Sequence, residues 1–352
     1  MVLQQAQRQS ENEAGTAVRH SAIRADDVHV TYDDGTEAVR GVSLDVEEGE
    51  FFGFLGPNGA GKTTTIKTLV TLLHPTQGSV RINGYDTKTD ARAVRESIGY
   101  MAQETSIDFE LTPCENLRIA CRMYGVPKDQ RDERIEELLD LVDLRDVADK
   151  RAETFSGGMQ KRLDTATVLV HRPPVVFLDE PTTGLDPEAR LRVWNYFEKI
   201  NDQGTTVFLT TQYLEEANEL CDRLGLLQDG RITHTGTPDA LKSAVGTDTV
   251  TLTLKNPSDG TRRRAVNAVR RLKDLDTATI ERTADGLTIE ADNARSTTSE
   301  LFTELAAADV EVTDFDIQSP TLDDVFLTLA GEDDSSDTST KDDTVSARAV
   351  AR

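Results

Sequence analysis

Cysteine is scarce in this chain: Cys114, Cys121 and Cys221 are the only three in 352 residues, and no two stand at CxxC spacing. An odd, scattered set excludes a disulfide framework and a zinc site, and it reads as reduced cytosolic thiol. Positive charge is also short. The 39 Lys and Arg are outnumbered by 63 Asp and Glu, which leaves a formal net charge of −24. Nucleic-acid partners call for basic surface, so no nucleic acid is expected, and direct docking onto anionic lipid is equally opposed. Sparse lysine with abundant aspartate points to a surface hydrated for a very salty cytoplasm, where screening makes such charge tolerable. No run approaches the ~18 apolar residues that a membrane-spanning helix needs. The first residues are polar, include Glu11 and Glu13, and do not resemble a secretory signal. The chain is expected inside the cell, reaching a membrane only through another protein.

Against these absences stand three phosphate-handling segments in a fixed order. The first is Gly56-Pro57-Asn58-Gly59-Ala60-Gly61-Lys62-Thr63, followed by Thr64. It fits G-x-x-x-x-G-K-[ST], whose glycines let backbone N–H groups curl around a phosphate. Phe51–Leu55 before it reads as a buried strand and Thr64–Leu73 after it as a helix, the setting a phosphate loop requires. Lys62 is expected to neutralise the β- and γ-phosphates of a nucleoside triphosphate, and Thr63 to offer its hydroxyl to Mg2+. Ser156-Gly157-Gly158-Met159-Gln160 comes next, then Val175-Val176-Phe177-Leu178-Asp179-Glu180. An apolar strand ending in Asp179 brings a carboxylate to the sheet edge where phosphate loops sit, within reach of the metal. Glu180, one residue on, can orient an attacking water or accept its proton.

The rest of the chain supplies an α/β frame. Val28–Tyr32 and Val42–Val46 read as strands paired around Asp33-Asp34-Gly35, and Val80–Ile82 ends in an Asn83-Gly84 turn. Thr112-Pro113-Cys114-Glu115 is a helix start with cap, proline and returning glutamate. Ile135, Leu138, Leu139 and Val142 form one helical stripe, and Leu191, Trp194 and Phe197 a second that reads as core. Strand character returns at Val175–Leu178, Thr206–Thr210 and Leu224–Leu227, with a helix over Glu188–Ile200 between the first two. Strands alternating with helices predict a mostly parallel sheet with a helical lobe inserted over about 104–172. Beyond Gly246 the order becomes βαββαβ, a small α+β ferredoxin-like module with a closing helix over Asp323–Ala330. The expected divisions are a disordered segment 1–21, a nucleoside-triphosphate-binding domain 22–246, an accessory domain 247–330 and a disordered acidic tail 331–352. The one basic cluster, Arg262-Arg263-Arg264 with Arg270-Arg271, reads as a solvated helix face.

Together with Leu178-Asp179-Glu180-Pro181-Thr182 and Gly184-Leu185-Asp186, these motifs make residues 23–245 resemble the ATP-binding subunit of an ABC transporter. The resemblance implies a phosphate-loop NTPase core of ABC-ATPase type, with ATP and Mg2+ as cofactors. It implies a head-to-tail pair of subunits in which Ser156, Gly157 and Gly158 meet the γ-phosphate held on the opposite chain's Lys62. A capped helix N-terminus favours an anion, so the physics agrees. Asp186 would lie in the loop crossing the dimer seam, and Tyr32 would stack on adenine. Gln103 would sense the metal and attacking water and link to an integral-membrane permease on a separate chain.

Gln212 departs from the family pattern, standing where most members have histidine. Its amide can donate to a γ-phosphate oxygen but cannot shuttle a proton near neutral pH, which leaves Glu180 as the main catalytic group. Phe155 and Met159 are milder departures. Gln212, the Ser-Gly-Gly-Met-Gln run and Ser319-Pro320-Thr321-Leu322-Asp323-Asp324-Val325-Phe326 resemble the narrower daunorubicin-resistance type of exporter ATPase. That group powers a separate permease for export of a drug-like or lipophilic compound, from the cytoplasmic face of the membrane. Two rival readings are a soluble ABC ATPase of nucleic acid or ribosomes and a module that holds ATP without turnover. The first would call for paired ATPase halves or a coiled coil; Lys62 with Glu180 argues against the second.

Overall fold

The computed structural model describes residues 20–292 and 294–328. The expectations for the first 19 residues, for the tail 331–352 and for the end of the closing helix at Ala330 fall outside the described residues. Contacts divide the chain between Thr237 and Pro238 into two units.

The first unit opens with β1 (Ser21–Thr31) and β2 (Glu37–Glu47), antiparallel around a turn in which Tyr32 N–H donates to Thr36 O at 2.9 Å. β1 is longer than the sequence pattern predicts, because register shifts between Ala25 and Val28 break the alternation at Asp26-Asp27. β3 (Phe51–Leu55) is buried at every position and runs through the glycine loop into α1 (Lys62–Leu69). β4 (Gln77–Ile82) and β5 (Tyr85–Asp86) form a hairpin at Asn83-Gly84, both at positive φ, as that turn demands. β1, β2, β4 and β5 make an antiparallel sheet in the order β2-β1-β4-β5.

α2 (Ala91–Glu96) and β6 (Ile98–Met101) follow, elements too short to show a period in the sequence. α3 (Pro113–Met123), α4 (Arg131–Leu141) and α5 (Gly157–Val168) form the helical lobe. Thr112 closes the predicted capping box with Glu115, and Ile135, Leu138, Leu139 and Val142 are all buried. Then come β7 (Val175–Asp179), α6 (Pro187–Asp202), β8 (Thr206–Thr211), α7 (Leu214–Leu220), β9 (Arg223–Gln228) and β10 (Arg231–Gly236). On α6, Trp194 and Phe197 are core as predicted, but Leu191 is 55 % exposed. Phe197 stands six positions after Leu191, about 120° round the helix, so Leu191 lies off the buried stripe.

The second sheet of this unit has the order β10-β9-β3-β8-β7-β6, parallel from β9 to β6 with β10 antiparallel at one edge. Its centre is buried on both faces, which is why its strands read as continuous apolar runs. Phe52, Phe54 and Phe177 surround Phe208 with ring centroids 5.5, 5.7 and 5.6 Å away. β8 lies between the strand that feeds the glycine loop and the strand that ends in Asp179. That order decides where the site forms.

The second unit begins with α8 (Pro238–Val245), so the division falls nine residues before the boundary anticipated at 246. β11 (Asp248–Leu254), α9 (Asp259–Val269), β12 (Thr279–Arg282), β13 (Gly286–Ala291), α10 (Thr298–Ala307) and β14 (Val312–Gln318) realise the βαββαβ order. The sheet is antiparallel throughout, ordered β12-β13-β11-β14, and a helix over 322–328 follows. Arg262 donates to the carbonyl oxygen of Ala284, and Arg264 to those of Ala308 and Asp309. The basic cluster is thus partly occupied in tying local loops together.

Candidate functional site

The glycine loop crosses from β3 to α1 through Gly61, whose φ of 104° is left-handed and whose missing Cβ leaves room for the Ala38 carbonyl oxygen. Only glycine meets both demands there. Lys62 opens α1 and turns back over its own loop. Its Nζ donates to Gly56 O at 2.7 Å and Pro57 O at 3.1 Å, and stands 3.4 Å from Glu180 Oε1. Both members of that ion pair are more than nine-tenths buried. Thr63 Oγ1 donates to Asp179 Oδ1 at 3.3 Å, so loop and acidic strand end meet, as the sheet order requires.

Asp179 is 1 % exposed. Burial pushes its carboxyl above the usual range, against hydrogen bonds from Thr210 and Thr63 that favour the charged form. The stronger of these is Thr210 Oγ1, which donates at 2.6 Å from the end of β8. Burial, with Asp179 adding to it, also pushes the Tyr100 hydroxyl on β6 up to about 12. A buried hydroxyl–carboxylate pair of hard oxygen donors fits a magnesium ion, which takes few protein ligands and leaves the remainder to phosphate and water. Glu180 sits at φ 49°, rare and strained for a side chain of this size. Its N–H donates to Thr210 O at 3.0 Å, and Thr183 Oγ1 lies 3.5 Å from its Oε2. The strained backbone sends Glu180 towards Lys62, while Asp179 stays in the sheet facing Thr63.

Tyr32 lies beside this cluster, its hydroxyl 3.0 Å from Thr64 Oγ1, and the residue is 41 % exposed. Gln103 is exposed in the loop after β6, and Gln212 is half-buried directly after β8. Both therefore leave from strands next to β7, at the same sheet edge as Asp179.

Ser156, Gly157, Gly158 and Asp186 gather elsewhere. Ser156 caps α5, accepting from Met159 N–H at 3.4 Å, and Asp186 caps α6, accepting from Ala189 N–H at 2.9 Å. The two helix starts meet where a Cβ on Gly158 would stand 2.9 Å from Ala189 Cβ. A shallow cavity of about 120 Å³ there is lined by Ser156, Gly158, Arg162, Asp186 and Arg192, among others. Two half-sites result, one around Lys62 and one around Ser156.

Nothing in the sequence marks Thr210, because a threonine ending an apolar strand is an ordinary β residue. Its place opposite Asp179 depends on β8 running between β3 and β7, which is a matter of topology. Glu216 is likewise hidden. It is fully buried on α7, accepting from Thr182 Oγ1 at 2.8 Å and Trp194 Nε1 at 2.9 Å.

A phosphate loop and an acidic strand end flanking one parallel strand, with a second capped-helix pole, define an ATPase of the ABC class. Residues 39–183 match the family model "ABC transporter", and residues 236–330 match "ATP-binding protein DrrA1-3-like, C-terminal domain". The daunorubicin/doxorubicin resistance ATP-binding protein DrrA of Streptomyces peucetius is 41 % identical over 299 residues, covering 84 % of this chain and 89 % of that one. The linearmycin resistance ATP-binding protein LnrL of Bacillus subtilis is 32 % identical over 309 residues, covering 88 % and 98 %. Among solved structures, the dimeric post-hydrolysis state of the cassette MJ0796, bound to ADP and Pi, matches at TM-score 0.56 and 28 % identity. It covers 61 % of this chain and 98 % of that one. The chain belongs to the ATP-binding subunits of ABC transporters, within their daunorubicin-resistance group, and is an ATP-hydrolysing ABC ATPase. The alternative of a nucleic-acid or ribosome ATPase gains no support from these relatives. No helix among the described residues is long and apolar enough to cross a membrane.

Proposed function

We propose that this subunit is the motor of an exporter for a drug-like or lipophilic compound, working at the cytoplasmic face of the membrane on a permease carried by another chain. The observation that supports it best is the Lys62–Glu180 ion pair beside the Thr63–Asp179 contact. Lys62, folded onto its own loop carbonyls, exchanges these acceptors for the β- and γ-phosphate oxygens of entering ATP. The same exchange releases Glu180, which then orients a water for attack on the γ-phosphate and takes its proton. Thr63 and Asp179, with Gln103, would hold Mg2+, and the ion would supply neutralisation of charge developing on the phosphates. Gln212 donates an amide hydrogen bond to the γ-phosphate, and Tyr32 offers its exposed ring face to adenine. Ser156, Gly157 and Gly158 close the site on a second, head-to-tail copy, with Asp186 at the seam, and opening after hydrolysis drives the permease.

Glu180→Gln tests this reading. It removes the base but keeps a hydrogen-bonding side chain of the same size. ATP binding should persist, a nucleotide-trapped dimer should accumulate in light scattering, and turnover should fall at least ~10²-fold. Turnover near the wild-type level, or a chain that stays single with saturating ATP, Mg2+ and high salt, would falsify it.

A further inference from the structure

We propose that Lys161 and Asp164 on α5 are positioning residues that fix the Gln103 loop, so that one helix serves two ATP sites. This rests on the function proposed above. Three side chains at i, i+3 and i+4 spacing share one face of α5. Two of them, Lys161 and Asp164, hold the segment that leaves β6, and Thr165 lies beside its start while donating its own hydroxyl to Lys161 O at 2.9 Å. Thr165 Oγ1 lies 3.7 Å from Met101 Sδ, Lys161 Nζ donates to Gln103 O at 3.2 Å, and Asp164 Oδ1 accepts from Ser106 Oγ at 2.6 Å and Ser106 N–H at 3.2 Å. Gln103 is thus held through its own carbonyl, and the loop is held again three residues on.

The grip is polar where packing alone would favour apolar contact. Asp164 is 1 % exposed, and its Oδ2 has no hydrogen-bond partner among the described residues. A buried carboxylate with one oxygen unpaired is a poor source of stability, and well-packed apolar residues do better. What Asp164 does supply is direction: the 2.6 Å bond is of the short, charge-assisted kind that fixes Ser106 at one place.

The same α5 begins at Ser156, the cap of the other half-site. A helix of twelve residues is a stiff rod of about 18 Å. That rod joins the Ser156 cap at its start to the Lys161 and Asp164 contacts with the Gln103 loop along its length.

The test is a double-mutant cycle in the full-length chain, with ATP turnover and nucleotide affinity measured separately. Asp164→Ala should lower kcat about tenfold to a hundredfold, up to the loss for a catalytic group misplaced by about 1 Å, and leave the Kd for ATP within about twofold. In a Gln103→Ala background it should lower kcat no further, because it acts through Gln103. Asp164→Asn, which keeps the acceptor oxygen, should restore most of the rate. Lys161→Met, on a half-buried side chain, runs the same cycle if the alanine variant does not fold. Losses that multiply with Gln103→Ala, or a wild-type rate in Asp164→Ala and Lys161→Met, overturn the proposal and leave the motor reading intact. A wild-type rate in Gln103→Ala overturns both this proposal and the role given to that glutamine.

Discussion

The two half-sites differ in kind. Around Lys62 the groups are buried and already partnered inside the chain: lysine with Glu180, Thr63 and Thr210 with Asp179. Around Ser156 the capping side chains, Ser156 and Asp186, are exposed and bond their own first turns, while Arg162 beneath them is buried on the carbonyl oxygens of Val142 and Asp143. The first pole can bind a nucleotide only by giving up internal contacts. The second gives up nothing and gains an anion for its helix dipole. In the function proposed above, one nucleotide engages both poles by lying between two copies of the chain, each supplying what the other lacks.

Breaking the poles separately should have distinct consequences. Ser156→Arg places a bulky cation at the exposed cap. ATP affinity of the single chain should stay within about twofold, while turnover drops ~10²-fold, the loss typical of removing a preorganised donor from a reacting oxyanion. Lys62→Ala should instead weaken nucleotide binding directly. Equilibrium binding with a fluorescent ATP analogue, set beside turnover, separates the two. If Ser156→Arg also abolishes binding by the isolated chain, the poles are not separable as described.

Thr210→Val sharpens the buried pole with a smaller effect. It removes the 2.6 Å donor and leaves Thr63 as the one hydroxyl on Asp179 Oδ1. A hydrogen bond to a buried charged group is worth roughly 1.5–3 kcal/mol, so urea denaturation should show a loss of about 2 kcal/mol. The Mg2+ concentration for half-maximal turnover should shift several-fold, with turnover at saturating Mg2+ near normal. An unchanged Mg2+ dependence would mean that Thr210 supports the fold alone.

The buried pole was legible in part and for a clear reason. Phosphate loops are written in consecutive residues, so Gly56 to Thr64 and Asp179-Glu180 announce themselves. Lys62 meeting Glu180, and Thr210 meeting Asp179, are contacts across 118 and 31 positions of sequence that only strand order brings together. The fold followed the same rule. Continuous apolar strands gave the parallel core and alternation gave the βαββαβ module, whereas β6, four residues long, shows no period. Leu191 misled because three-residue spacing drifts off a helix face within two steps. Lys161 and Asp164 stand within the α5 pattern as ordinary polar positions, and nothing local tells that they face the Gln103 loop.

Glu216 joins the two poles, and pH gives a way to weigh it. It holds Thr182, at the start of the loop that reaches Asp186, and it lies on α7, just after Gln212. Burial pushes its carboxyl above the ordinary glutamate range, against donors from Thr211, Thr182 and Trp194. The folded chain therefore holds this proton more tightly than the unfolded chain. Its contribution to stability is fully present below the unfolded value of 4.5 and is lost as pH rises through the raised folded value. Glu216→Gln cannot ionise, and its amide oxygen can accept from the same Thr182 and Trp194 donors. Urea denaturation at constant salt should show the variant at least as stable as wild type at pH 8, with its relative advantage shrinking towards pH 5. The advantage must shrink in that direction because wild type recovers its proton there, while the variant has none to recover. A difference that stays constant with pH would mean the carboxylate is charged and fully compensated in the folded chain, and that the two poles rest on a fixed ion instead of a shared proton.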